Sequence, residues 1–201
     1  MKWNTLATKD SVEKTIAALK RNGIEAVFVK DGAEAKKKTL EMIPAGAEVM
    51  NMTSVTLDTI GLSTELNDSG KFDSVRAKFA DEKVSAREKR RLGAAPEWVV
   101  GSVHAVTENG EVLVASNSGS QLPAYAYGSE HVMWVVGTQK IVKDLEEGRK
   151  RIYEYVLPLE SERAKKAYGV AGSFVSKLLI FNREASVGRI SVILVGEVLG
   201  F

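Results

Sequence analysis

Glu108 stands beside Asn109-Gly110 and a few residues ahead of Ser116-Asn117-Ser118-Gly119-Ser120-Gln121, a run of small polar side chains. A carboxylate can act as general base or nucleophile when its surroundings tune it. Hydroxyls and amides around a permissive glycine let backbone approach an anion closely. Leu122-Pro123-Ala124-Tyr125 continues the run as a helix start with proline in its first turn, and the open N–H groups of such a start favour phosphate or carboxylate. Neither GxxxxGK(S/T) nor GxGxxG occurs, so the loop is not a known nucleotide fingerprint. Two further segments place polar groups beside apolar strands. Thr53-Ser54 follows Ala47 to Met52, and Gly137-Thr138-Gln139-Lys140 follows Val132 to Val136, with Lys140 supplying positive charge. Each has a plainer reading. Thr53 or Ser54 is an ordinary helix N-cap, residues 137–140 are a connection with one exposed lysine, and Glu108 is a solvated turn acid.

The chain excludes several chemistries. It has no cysteine, which removes disulfides, iron–sulfur ligation by this chain and thiol nucleophiles, and which fits a reducing compartment. Its two histidines, His104 and His131, do not make a zinc set, and no carboxylate spacing suggests another metal. His104 shares a strand face with Val106 and Glu108, but four residues along a strand is roughly 13 Å, too far for a direct bond. It reads as a satisfied core or interface histidine, and His131 as structural. The formal charge of +2 gives no field for nucleic acid. Lys36-Lys37-Lys38 and Lys89-Arg90-Arg91 are interleaved with Glu and read as solvated helix faces, with an anion-binding edge as the alternative. No apolar run approaches the roughly 20 residues of a membrane span, and the N-terminus lacks a signal-peptide core. Cytoplasm is the expected compartment.

Helix and strand patterns alternate with short connections. Asp10 and Glu13 resemble a capping box for a helix over 10–21, closed by Asn22-Gly23. A strand over 24–29, a helix over 32–42 and a strand over 47–52 follow. Thr53 to Leu57 opens a third helix. Residues 62–97 are polar and charged, with short helices near 73–79 and 85–92, and read as a helical flap or an oligomer contact. Phe72, Val75 and Phe79 fall at helical spacing as core. Asn109-Gly110 between alternating strands predicts a two-residue type I′ hairpin, which sets Glu108 opposite Glu111. Val132 to Val136 suits a strand covered on both faces. A helix over 142–156 ends or kinks at Pro158, a charged helix covers 160–168, and strands over 177–182 and 190–195 close the chain. The whole predicts one α/β domain over 1–201, a mostly parallel sheet flanked by helices with an inserted β-hairpin.

Three segments carry a likeness: SVTLDTIG at 54–61, VHAVTENGEVLVASNSGSQLPA at 103–124 and HVMWVVGTQKIV at 131–142. Together they resemble the lactate-utilization (LUD) domain family, the LutC/YkgG group, whose fold is NagB/RpiA/CoA-transferase-like. Ala105 to Gly110 is similar to the family's Ala-x-x-Glu-x-Gly segment and puts Glu108 on its acid. Gly119 to Pro123 matches its polar loop. The resemblance implies a part in oxidising lactate or a related organic acid, as an accessory or subunit beside iron–sulfur and other components. Electrons would then pass through another subunit or a cofactor that the sequence does not identify. The first expectation is an anionic small molecule bound by Thr53, Ser54, residues 117–121, Gly137, Thr138 and Lys140. The fold likeness also implies an alternative, a stand-alone enzyme for sugar phosphates or acyl-CoA with Glu108 as base or nucleophile. A third reading is a non-catalytic assembly module, homo-oligomeric, using 62–97 and Val198 to Phe201 as contact surface.

Overall fold

Strands that all run the same way need crossovers, and the crossovers cover the sheet's faces. The computed structural model describes residues 3–201. The chain passes through β1 (Glu25–Val29), β2 (Glu48–Asn51), β3 (Asp73–Ser74), β4 (Trp98–Gly101), β5 (Ala105–Thr107) and β6 (Val112–Ser116). It continues through β7 (His131–Gly137), β8 (Ile141–Val142), β9 (Lys177–Phe181) and β10 (Ile190–Val195). One sheet is all parallel, in the order β1-β10-β7-β4-β2-β3. A second runs β8-β5-β6-β9, with β5 parallel to β8 and its other pairs antiparallel.

Helices α1 (Lys9–Arg21), α2 (Gly32–Met42), α3 (Val55–Thr59), α4 (Leu62–Asp68), α5 (Val75–Lys78) and α6 (Ala86–Ala94) precede the hairpin. β7 shows why its sequence has no alternation. Val132, Trp134 and Val136 point into a core shared with α1 and the small sheet, while Met133 and Val135 enter a second core under α2 and α4. Both faces are therefore dry, as the apolar run predicts. The small sheet buries its other face, through Ala105, Leu113 and Val142, against Ile152.

Residues 62–97, read as a flap or contact surface, give β3 to the sheet edge and bury Leu62, Leu66 and Val75; α6 is their exposed part. The N-cap of α1 is Thr8, whose hydroxyl accepts the Ser11 amide, and not Asp10. Pro158 does not end its helix. α7 (Leu145–Arg151), a π-turn over Ile152–Val156 and α8 (Leu157–Tyr168) are continuous. A proline offers no N–H and crowds the carbonyl four residues back, and the wide turn just before it accommodates both.

The hairpin differs from its expectation in a way that matters. Thr107 pairs with Glu111 through the Thr107 amide, and the Gly110 amide donates back to the Thr107 carbonyl at 2.9 Å. Gly110 has φ +85°, and among the described residues only glycines have positive φ. The loop is thus a three-residue type I turn closed by a left-handed glycine, not a type I′ pair. Packing on α1 selects it: a Cβ at Gly110 would lie 2.7 Å from the Ala18 carbonyl carbon, and Asn22 Nδ2 donates to the Asn109 carbonyl at 3.0 Å. Thr107, not Glu108, therefore sits opposite Glu111, and Glu108 swings toward α1.

Candidate functional site

The connection leaving β2 leads outward to β3, whereas the one leaving β4 leads the other way to β7. Adjacent strands whose exits diverge open a crevice at their carboxyl ends, where α/β sheets bind ligands. A cavity of about 300 Å³ occupies that position. Thr53, Ser54 and Thr56 line it after β2, Ser102 and His104 after β4, and Asn117, Ser118, Ser120 and Gln121 after β6. Lys140 comes from the turn after β7, and Arg163, Tyr168 and Phe174 close the far side. Gly101 ends β4 because a Cβ there would fall 1.7 Å from the Tyr125 hydroxyl, which also reaches this wall.

Lys140 is the unusual group. It is 2% exposed, and Nζ bonds Thr56 Oγ1 at 3.0 Å and Ser102 Oγ at 3.2 Å. No carboxylate forms an ion pair with it among the described residues. Burial, and then the Arg151 charge, bring its pKa down to about 7. Arg151 is fully buried, donates to the His104 carbonyl and lies 5.3 Å over the Tyr155 ring, and its Nε and second terminal nitrogen have no partner. Burial brings its pKa down to about 10, so it stays charged at neutral pH.

His104 Nδ1 accepts the Ala115 amide at 3.1 Å, which leaves the proton on Nε2. Burial, then Lys140 and Arg151, hold its pKa at about 3, so the ring is neutral. Arg76 on α5 donates to the Asn51 carbonyl at 2.8 Å and to Thr53 Oγ1 at 3.3 Å, adding a cation behind the β2 wall. The carboxylates on the cavity wall are already engaged. Ser63 donates to Asp58, and Arg163 holds Glu160 with two bonds of 2.7 Å. The interior is a set of hydroxyls around buried positive charge.

Of the residues expected from sequence, Thr53, Ser54, Asn117, Ser118, Ser120, Gln121 and Lys140 come together here. Glu108, Gly119, Gly137 and Thr138 do not line the cavity. Glu108 is bound by Ser11 Oγ and Lys14 Nζ of α1, each at 2.7 Å, and these bonds, Lys14 first, hold its carboxyl below the usual range. Gly119 is a turn residue at φ +85° whose Cβ would strike the Lys177 side chain at 2.7 Å. Gly137 lets Gln139 and the Glu197–Leu199 backbone close in, while Thr138 is simply buried.

The polar loop is also less open than its composition suggests. The Gly119 amide donates to Ser116 Oγ and the Ser120 amide to Ser118 Oγ, so these two amides are already engaged within the loop. Ser54 does cap α3, its hydroxyl accepting the Leu57 amide at 3.5 Å. Thr56, Ser102, Arg76 and Arg151 were not legible. Each is an ordinary residue type at an ordinary position, and only the meeting of separate strand ends gives it a role.

Among the described residues, no group of three or more His, Cys, Asp or Glu is placed to hold a metal ion. No helix there is long and apolar enough to cross a membrane. No curated protein matches the chain. A crystal structure of a DUF162 family protein from Deinococcus radiodurans is similar at 12% identity, covering 95% of this chain and 99% of that one, with a TM-score of 0.58. That likeness extends the shared fold over both chains. The eIF2B beta structure from Chaetomium thermophilum overlaps partly, with 13% identity over 58% of this chain and 44% of that one and a TM-score of 0.40. The LUD domain model matches residues 12–195, from α1 through β10. With that match spanning nearly every element described above, the chain belongs to the LUD domain family.

Proposed function

We propose that this chain binds a small organic-acid anion in the switch-point cavity, as one component of a system that oxidises lactate or a related acid. The observation that carries this reading is Lys140, a buried amine held by two hydroxyls with no protein carboxylate beside it. Burying a charge without a partner costs several kcal/mol. An incoming carboxylate supplies the partner, and Arg151 and Arg76 deepen the same positive field. The reading with Glu108 as catalytic base draws no support from the geometry, because Ser11 and Lys14 engage its carboxylate outside the cavity.

Binding is then coupled to a proton. The titratable groups that line the cavity with Lys140 are neutral His104, Tyr125 whose ionisation burial pushes up, Tyr168, Arg163 and the engaged carboxylates Asp58 and Glu160, and Arg151 is the charge that acts on Lys140. Lys140 changes its charge near neutrality, at about pH 7. A bound carboxylate favours the ammonium, so complex formation takes up a proton and affinity falls as pH rises above that point. Calorimetry with L-lactate in buffers of different ionisation heat measures both effects. Lys140→Met is expected to weaken binding at least tenfold and to abolish the proton uptake. Unchanged affinity in a folded Lys140→Met protein would overturn the proposal.

A further inference from the structure

We infer that Lys140 is the nucleophilic amine of a carbonyl-binding site, and that the acid it takes is a 2-oxo acid, held through an imine to Nζ. This rests on the anion-binding reading and names the substrate class of the same cavity. The geometry at Nζ is specific. Thr56 gives its hydroxyl proton to the Leu199 carbonyl at 3.1 Å, so its oxygen accepts from Nζ. Ser102 Oγ occupies a second position at 3.2 Å. No further protein partner reaches Nζ among the described residues, which leaves a position for the lone pair of a neutral amine. The residue lines the cavity, so that position serves a ligand and not the core.

The surroundings favour the neutral form. A lysine set beside another fixed cation in a dry site is a recognised way to obtain a nucleophilic amine at neutral pH. Arg151 is that cation here, fully buried and with no carboxylate paired to it among the described residues.

The step balances without any oxidant. The Nζ lone pair attacks the carbonyl carbon, the carbonyl π pair moves to oxygen, and that oxygen takes the proton that Nζ gives up. The resulting carbinolamine loses its hydroxyl as water, with one further proton supplied to the leaving oxygen and the last N–H proton returned, and C=N forms. Ser102, hydrogen-bonded to Nζ, is placed to relay the proton, and His104 offers a protonated Nε2 on the same wall. The adjacent carboxylate is left to the Thr53 hydroxyl with Arg76 behind it, and to Ser118 and Ser120. A 2-hydroxy acid cannot form this bond, so the chemistry places the site after a reaction that oxidises a 2-hydroxy acid to its ketone.

The test is reductive trapping. The protein is incubated with pyruvate and sodium borohydride, then digested and mapped by mass spectrometry, with L-lactate as the carbonyl-free control. The expected result is an adduct on the Lys140 peptide formed at least tenfold faster than on any other lysine, absent with lactate, and faster as pH rises toward 8. Lys140→Arg keeps a cation but has no nucleophilic amine, and is expected to abolish the adduct on that peptide. If calorimetry shows pyruvate binding that depends on Lys140 while no adduct forms there, the imine is wrong and the anion site stands. If neither binding nor adduct is seen, both readings fall. Adducts spread evenly over surface lysines also overturn the inference.

Discussion

Lys140 carries a cost that the fold itself reports. In the unfolded chain its pKa is the ordinary 10.5, and in the native protein it is about 7. Between those values the unfolded state holds a proton that the native state lacks, so stability rises with pH across that window. Below about pH 7 both states are protonated and the full burial penalty applies. Lys140→Met removes the amine, and is expected to stabilise the ligand-free protein by on the order of 2 kcal/mol at pH 6. It should also flatten the rise between pH 7 and 10, measured by urea denaturation at a series of pH values. A stabilising substitution that destroys binding is the signature of a residue retained for function. Sequence alone pointed to Lys140 only as a charge at a strand end, because a lysine so placed is normally exposed.

Among the elements, the hairpin shows most clearly what local pattern can and cannot specify. Alternation located β5 and β6, and Asn109-Gly110 located the turn, but its register was decided by α1. The same contact converts Glu108 from a candidate catalyst into a tie between β5 and α1, held by Ser11 and Lys14. Glu108→Ala should therefore cost about 1 kcal/mol of stability and leave lactate affinity unchanged, by thermal unfolding and calorimetry. Its contribution is present above the usual carboxylate range and lost in acid, since the native carboxyl ionises more readily than the unfolded one. A large loss of binding with the fold intact would return Glu108 to the site. The helices were read more easily: α2 has the expected bounds, and Asp31 caps it. Pro158 was read as a break or kink because a flat sequence does not show that a wide turn precedes it.

For the whole molecule, alternation made the parallel sheet legible, but the strand order was not, and the site depends on that order. Thr53-Ser54, Asn117, Ser118, Ser120, Gln121 and Lys140 become neighbours because β2, β4, β6 and β7 all deliver their ends to one crevice. Ser102 and Thr56 needed that order before they meant anything. The order also bears on how the protein is made. Among the described residues β1 pairs only with β10, Glu25 beside Ser191 and Val29 beside Val195. β1 thus waits for a strand made much later, with the backbone groups of that edge unpaired meanwhile. Non-local pairing of this kind forms late and exposes apolar edges on the way. Pulsed hydrogen exchange during refolding is expected to protect β4 and β7 before β1, and protection of β1 in the first phase would contradict it. The nascent chain would then spend much of its synthesis as a ready client for a chaperone that shields β1.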